Sequence, residues 1–237
     1  MKYAPGATIV DLSHNVKQYD LQQAAYLLLS AYKHFAAGTV HISMVDVYAG
    51  DVPRMVLAKK GDHYFIAPDN GILPLAFGTE IDLTLACYEL HRSYTFSDWV
   101  NNAGKVMELL VTGKSELPFT NCEVRNAVKL LQPKFTENSI ECNILYIDRY
   151  ENIVLDISKA QFDEVVGDLP FRIILRKVGD ITSVSNNYND VPEGAALCRF
   201  NDAGYLEIAL NREGIASLLG LGANGVGIRY PTINIFF

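Results

Sequence analysis

The sequence predicts an α/β N-terminal domain with a mainly parallel sheet, followed by a mostly-β, barrel-like C-terminal domain, with the division at 1–135 and 136–237. Three observations carry that prediction. Strand-like and helix-like periods alternate as far as Gly113, the pattern of an α/β layer on a parallel sheet. Short apolar segments separated by Gly, Asn, Asp and Pro fill the C-terminal part, as in a small barrel or sandwich. Between the two, "KSELPFTNCEVRNAVKLLQPKFTENS" is mixed, polar and interrupted by two prolines, which suits a connector containing one short helix.

The elements follow in order. "ATIVDLS" reads as a buried strand, and "DLQQAAYLLLSAYKHF" places Leu21, Ala24, Ala25, Leu28, Leu29 and Tyr32 on one helical stripe with Asp20 as N-cap. "GTVHISMVDV" is a β-branched strand, "PRMVLAKKGDHYFIAP" a hairpin turning at Lys60-Gly61-Asp62, and "DLTLACYEL" a further short strand. Helical spacing returns in "SDWVNNAGKVMELLVTG", with Gly113 as its C-terminal stop. Beyond the connector, "IECNILYIDRY", "NIVLDIS", "FRIILRKV", "ITSVSNNY", "AALCRFND", "GYLEIALN" and "GVGIRYPTINIFF" read as strands, and "KAQFDEVVGD" and "REGIASLLGL" as helices.

Composition narrows the function. At 237 residues and 49% hydrophobic, the chain can bury a sizeable core. A net charge of -7 argues against a nucleic-acid surface, which needs a basic face, and favours small-molecule chemistry. Cys87, Cys122, Cys142 and Cys198 are widely spaced, with no CxxC pair and no His at ligand spacing, so neither a zinc site nor a disulfide framework is expected. No apolar run has the length of a membrane span, and "MKYAPGATIVDLSHNVKQYD" has no secretory pattern. The expectation is a cytoplasmic protein with reduced thiols.

One stretch invites a chemical reading. "HYFIAPDNGILPL" runs from a strand into Asp69-Asn70-Gly71. Such residues make a tight turn, and equally, open α/β sheets bind ligands at the carboxyl ends of their strands. Asp46 and Thr95 also close or follow strand-like runs, so Asp46, Asp69, Asn70 and Thr95 are expected at one sheet edge. By residue type alone, Asp46 caps a turn or orients a small molecule, and Arg54 opens a surface strand or reaches into a site.

The collinear motifs "APGATIVDLSHNV", "GTVHISMVDVYAG", "YFIAPDNGIL", "YTF", "ILYIDRYENI" and "FNDAGYLEIALN" resemble the S-adenosylmethionine hydroxide adenosyltransferases, the family that includes the fluorinase and chlorinase. The resemblance spans essentially the whole chain. It implies displacement at the ribose C5′ of S-adenosylmethionine (SAM) by water, giving adenosine and L-methionine, without a metal or redox cofactor. Methionine leaves readily because the sulfonium is cationic, so the site need only orient the nucleophile and bind both ends of the substrate. By the same resemblance Asp46 and Arg54 hold the water. Asp69, Asn70, Thr95 and Phe96 line the substrate; Asp148 receives the methionine ammonium, Tyr150 stacks on adenine, Asn152 reads its edge and Asp202 closes the set. A homotrimer, with a site shared between neighbouring subunits, is implied as well.

The sequence also departs from the family pattern. "YTF" runs into Ser97-Asp98-Trp99 where the family carries a His; Pro53 replaces the first of two arginines, leaving Arg54 as the second; and Glu151 replaces a glycine. The resemblance begins after the family's first strand and helix, so the expectation is a start upstream of Met1 or a lost first strand. Two functions follow: a SAM hydrolase, and alternatively a catalytically weak or inactive adenosine/SAM-binding relative.

Overall fold

The computed structural model describes the chain except for residues 1–2, 51, 79–80, 83–85, 92, 114–119, 122–123, 125–131 and 222–230. It divides into two compact units, Met1–Lys129 and Leu130–Phe237. Among the described residues, no sheet takes strands from both. The short helix expected in the connector, and Cys122, lie outside the described residues.

In the first unit, α1 (Leu21–Ala31) starts where Asp20 accepts a hydrogen bond from the Gln23 amide at 2.9 Å, satisfying one of the free N–H groups of the first turn. Strands β1 (Val40–Ile42), β2 (Arg54–Lys60), β3 (His63–Pro68), β4 (Ala86–Glu89) and β5 (Thr120–Asn121) form one sheet in the order β1-β3-β2-β4-β5. Only β1 and β3 are parallel; the β2/β3, β2/β4 and β4/β5 pairs are antiparallel. The expectation of a mainly parallel sheet is therefore corrected. The cause is local: Lys60 pairs with His63 across the two-residue turn Gly61-Asp62, and so short a connection can only reverse the chain.

Both faces of this sheet are covered. Alternation sends Val56, Ala58, Phe65 and Ala67 towards α1 and the short α2 (Ile72–Phe77). Met55, Leu57 and Ile66 turn the other way, onto Trp99, Ala103 and Val106 of α3 (Phe96–Thr112). α3 ends where predicted, at left-handed Gly113 with φ 67°.

A second correction concerns "ATIVDLS". Its residues form no strand, and Ile9, Val10 and Leu12 are exposed. An apolar run becomes a strand only where a neighbour takes its backbone N–H and C=O groups, and among the described residues none pairs with it.

The second unit contains β6 (Lys134–Phe135), β7 (Ser139–Cys142), β8 (Ile144–Ile147), β9 (Ile153–Ser158), α4 (Lys159–Val165), β10 (Arg172–Leu175), β11 (Gly179–Ile181), β12 (Ala196–Phe200), β13 (Tyr205–Leu210), α5 (Ile215–Leu218) and β14 (Ile233–Phe236). They build two antiparallel sheets, β11-β10-β14-β7-β6 and β12-β13-β9-β8. One core joins them, with Ile140, Ile173 and Ile235 from the first sheet and Leu155, Cys198 and Ile208 from the second. Neither sheet closes on itself among the described residues, which corrects the barrel-like expectation. Instead, the inward faces of two open sheets bury each other.

Candidate functional site

The strand directions collect polar residues at one end of the first sheet. β1, β3 and β4 finish there and β2 begins there, so the segments 43–50 and 69–71, residues 90, 91 and 93–95, and Arg54 meet at a single edge. Asn70, buried, donates through Nδ2 to the carbonyls of Val45 at 2.8 Å and Asp46 at 3.2 Å, while its Oδ1 accepts from the Ile72 amide at 3.2 Å. Asp46 itself is half-buried and left-handed, with φ 51°, a conformation that Asp and Asn enter more readily than other residues with a side chain. Asn70 therefore ties the Asp46 loop to the start of α2.

Asp69 is fully buried and accepts from the Arg54 guanidinium as an ion pair. The Asp69 amide in turn donates to the Arg54 carbonyl at 2.8 Å. Arg54 is thus anchored by Asp69, a role that sequence reasoning did not assign to either residue. Strand pairing places Met55 opposite Pro68, so the next residues, Arg54 and Asp69, fall side by side; a register drawn from the hairpin turn would have found them. The Tyr94 hydroxyl donates to the Val47 carbonyl, which draws the chain entering α3 towards the same edge.

Thr95 and Phe96 open α3, and both are exposed. Thr95 is the N-cap. Its hydroxyl accepts from the Asp98 amide at 3.2 Å and the Asp98 carboxylate accepts from the Thr95 amide at 2.8 Å, a reciprocal capping box. The Thr95 amide and hydroxyl, both donating to the Asp98 carboxylate, lower the Asp98 pKa.

In the second unit Asp148, Tyr150 and Asn152 share one turn. Asp148 Oδ1 accepts from the amides of Tyr150 at 2.8 Å and Asn152 at 2.9 Å, and Oδ2 accepts from Asn152 Nδ2 at 3.0 Å. Asp148 is accordingly the turn's organiser, and Asn152 is buried against it. Tyr150 is 78% exposed, leaving its ring face open for stacking. Asp202 stands apart from this turn, exposed beside Asn201, whose Oδ1 accepts from the amides of Ala203 and Tyr205. A cavity of about 710 Å³ in the same unit has Phe162, Phe171, Phe200 and Lys159 in its walls; none of Asp148, Tyr150 and Asn152 lines it.

Glu207 lies within "GYLEIALN", a segment whose pattern reads as a strand. It is buried on β13, accepts from the Tyr188 hydroxyl at 2.6 Å, and lies opposite Arg199 on β12. Each lies four residues from Ala203 at the centre of the turn, a hairpin register that the sequence carries.

Polar residues thus gather at a sheet edge in the first unit, and an aromatic-bearing turn stands in the second, each suited to contact a small molecule. The chain belongs to the SAM hydroxide adenosyltransferase family: residues 1–105 match its N-terminal domain and residues 142–226 its C-terminal domain. Among curated proteins it is similar to the (R)-S-adenosyl-L-methionine hydrolase of Thermus thermophilus, with 29% identity over 92% of this chain and 86% of the relative. The (R)-S-adenosyl-L-methionine hydrolase of Methanocaldococcus jannaschii is 24% identical over 93% of this chain and 82% of the relative. A conserved protein of Thermotoga maritima shares the fold, with a TM-score of 0.76 and 22% identity over 100% of this chain and 91% of the other.

Proposed function

We propose that this chain is a SAM hydrolase: water attacks the ribose C5′, the C5′–S bond breaks, and adenosine, neutral L-methionine and a proton are released. The sulfonium takes the bond's electron pair as it leaves, so the reaction asks only for an oriented water and a bound substrate. It calls for no metal or redox cofactor. Asp46 accepts a hydrogen bond from the water, and Arg54, held by Asp69, fixes the polar edge beside it. Asn70 keeps the Asp46 loop in place, and Thr95 and Phe96 border the substrate. Tyr150 covers adenine, Asn152 reads its edge, and Asp148 receives the methionine ammonium. A homotrimer in the cytoplasm is the proposed working form. The observation that supports this reading most is the convergence of Asp46, Arg54, Asp69 and Asn70 at one sheet end.

Product analysis with SAM tests it. The expected result is adenosine and methionine from the parent and at least about a hundred-fold less from Asp46→Ala, the usual scale for a lost positioning group. Turnover unchanged in Asp46→Ala would remove that residue from the mechanism.

A second reading, an adenosine- or SAM-binding relative with little turnover, is favoured by one observation. Thr95 and Asp98, at the start of the helix that follows "YTF", bond one another, and no His stands in that motif. Adenosine binding by calorimetry without product formation from SAM would select this reading.

A further inference from the structure

We propose that Glu151 is a positioning residue for the nucleoside: by fastening the Asp148–Asn152 turn to α5, it sets the orientation of the Tyr150 ring that stacks on a purine. The inference rests on the assignment of this turn to adenine made above.

Three features carry it. Glu151 is left-handed, with φ 64°, a conformation that a residue with a side chain keeps only where its surroundings hold it. Those surroundings are α5. The Glu151 carbonyl accepts from the Ala216 amide at 3.2 Å, and its carboxylate accepts from the Ser217 amide at 3.0 Å and the Ser217 hydroxyl at 2.6 Å. Asp148 grips the turn from the other side through the amides of Tyr150 and Asn152. Tyr150 therefore sits between two anchors while its own side chain, largely in solvent, has little packing to hold it.

Gly214 supplies the third feature. Its φ of -89° is open to any residue, so the backbone does not demand glycine there. A Cβ at that position would lie 2.4 Å from the Glu151 carboxylate oxygen and 2.8 Å from its carboxyl carbon. The space that glycine leaves is the space the Glu151 carboxylate fills. Bonds from Ser217 also lower the Glu151 pKa, which keeps the tether ionised. A cap that served α5 alone would have no bearing on a purine; one that also fixes the strained residue beside Tyr150 does, because an aromatic platform gains affinity when it is ordered before the ligand arrives.

Adenosine titrated into the full chain by calorimetry tests the proposal. Glu151→Ala is expected to weaken binding about ten-fold, and Gly214→Ala, which drives the carboxylate out, by a similar factor. Glu151→Gln retains an acceptor for Ser217 and should stay within about three-fold of the parent. Glu151→Gly, in which the left-handed conformation is relaxed, guards against misfolding and should weaken binding as Glu151→Ala does. In a Tyr150→Ala background, Glu151→Ala should add nothing. Parent-like affinity in Glu151→Ala and Glu151→Gly, or a loss that persists undiminished without Tyr150, overturns the positioning role alone. A parent that binds no adenosine overturns the nucleoside assignment and this inference with it.

Discussion

At the scale of single residues, the Arg54–Asp69 pair is the most consequential contact in the first unit. Asp69 has no exposed side-chain surface and Arg54 is largely buried, so removing the carboxylate takes away a charge-assisted bond made inside the protein. Asp69→Ala should lower the unfolding free energy by about 3 kcal/mol, and Asp69→Asn, which keeps an acceptor, by roughly half as much. Urea denaturation measures both; an Asp69→Ala loss below about 1 kcal/mol would show that the pair is solvated in solution. Asn152 makes a different kind of prediction. Asn152→Ala removes the Nδ2 bond to Asp148 and the amide assigned to adenine, so adenosine affinity should fall by about ten-fold or more. Unchanged affinity would displace adenine from this turn. Glycine-like backbone at Glu151 was legible from the sequence as a substitution in a turn, whereas the partner that stabilises it, Ser217, was not, because nothing local in a sequence reveals a contact made from so far along the chain.

Elements show where local signals suffice and where they fail. The capping box at the start of α3 is written in Thr95 and Asp98, and Thr95→Ala should destabilise the fold by about 1 kcal/mol, read as a lower thermal midpoint. The hairpin of β2 and β3 and the Gly113 stop of α3 were legible for the same reason: turn and cap chemistry act within a few residues. The exposed "ATIVDLS" segment and the antiparallel majority of the first sheet were not, since strand formation and direction depend on neighbours distant in sequence. The pairing of β1 with β3 has its own signature. It brings His41 Nε2 within 3.1 Å of His63 Nδ1, and burial, reinforced by His63, lowers the His41 pKa to about 4. Between pH 6.5 and about 4 the folded chain is then one proton short of the unfolded one, so stability falls as pH falls through that window and is unaffected above it. The loss attributable to His41 should be on the order of 2 kcal/mol and should vanish in His41→Phe. Denaturation at pH 7 and pH 4.5 checks it; an equal loss in His41→Phe would place the titration elsewhere.

For the whole molecule, two units with separate cores imply that damage in one need not unfold the other. Sedimentation at micromolar concentration should find a species about three times the 26.3 kDa chain mass, and a purely monomeric boundary would rule out the proposed trimer. A change of composition and period near Gly113 is the signal behind the expected division, whereas barrel closure depends on how strand ends meet, which alternation does not encode. The position of β14 has a further consequence. It lies at the centre of its sheet, with Ile235 beside Ile140 of β7 on one side and Ile173 of β10 on the other. During synthesis, β7 and β10 leave the ribosome long before the strand that joins them. Until residues 233–236 have been made, each waits with an unpaired apolar edge, a form open to pairing with other chains. The first unit, whose described strands all precede residue 122, is under no such delay. Maturation of this second unit should therefore be limited by β14, and conditions that slow translation of residues 233–236 should expose the second unit, rather than the first, to chaperones.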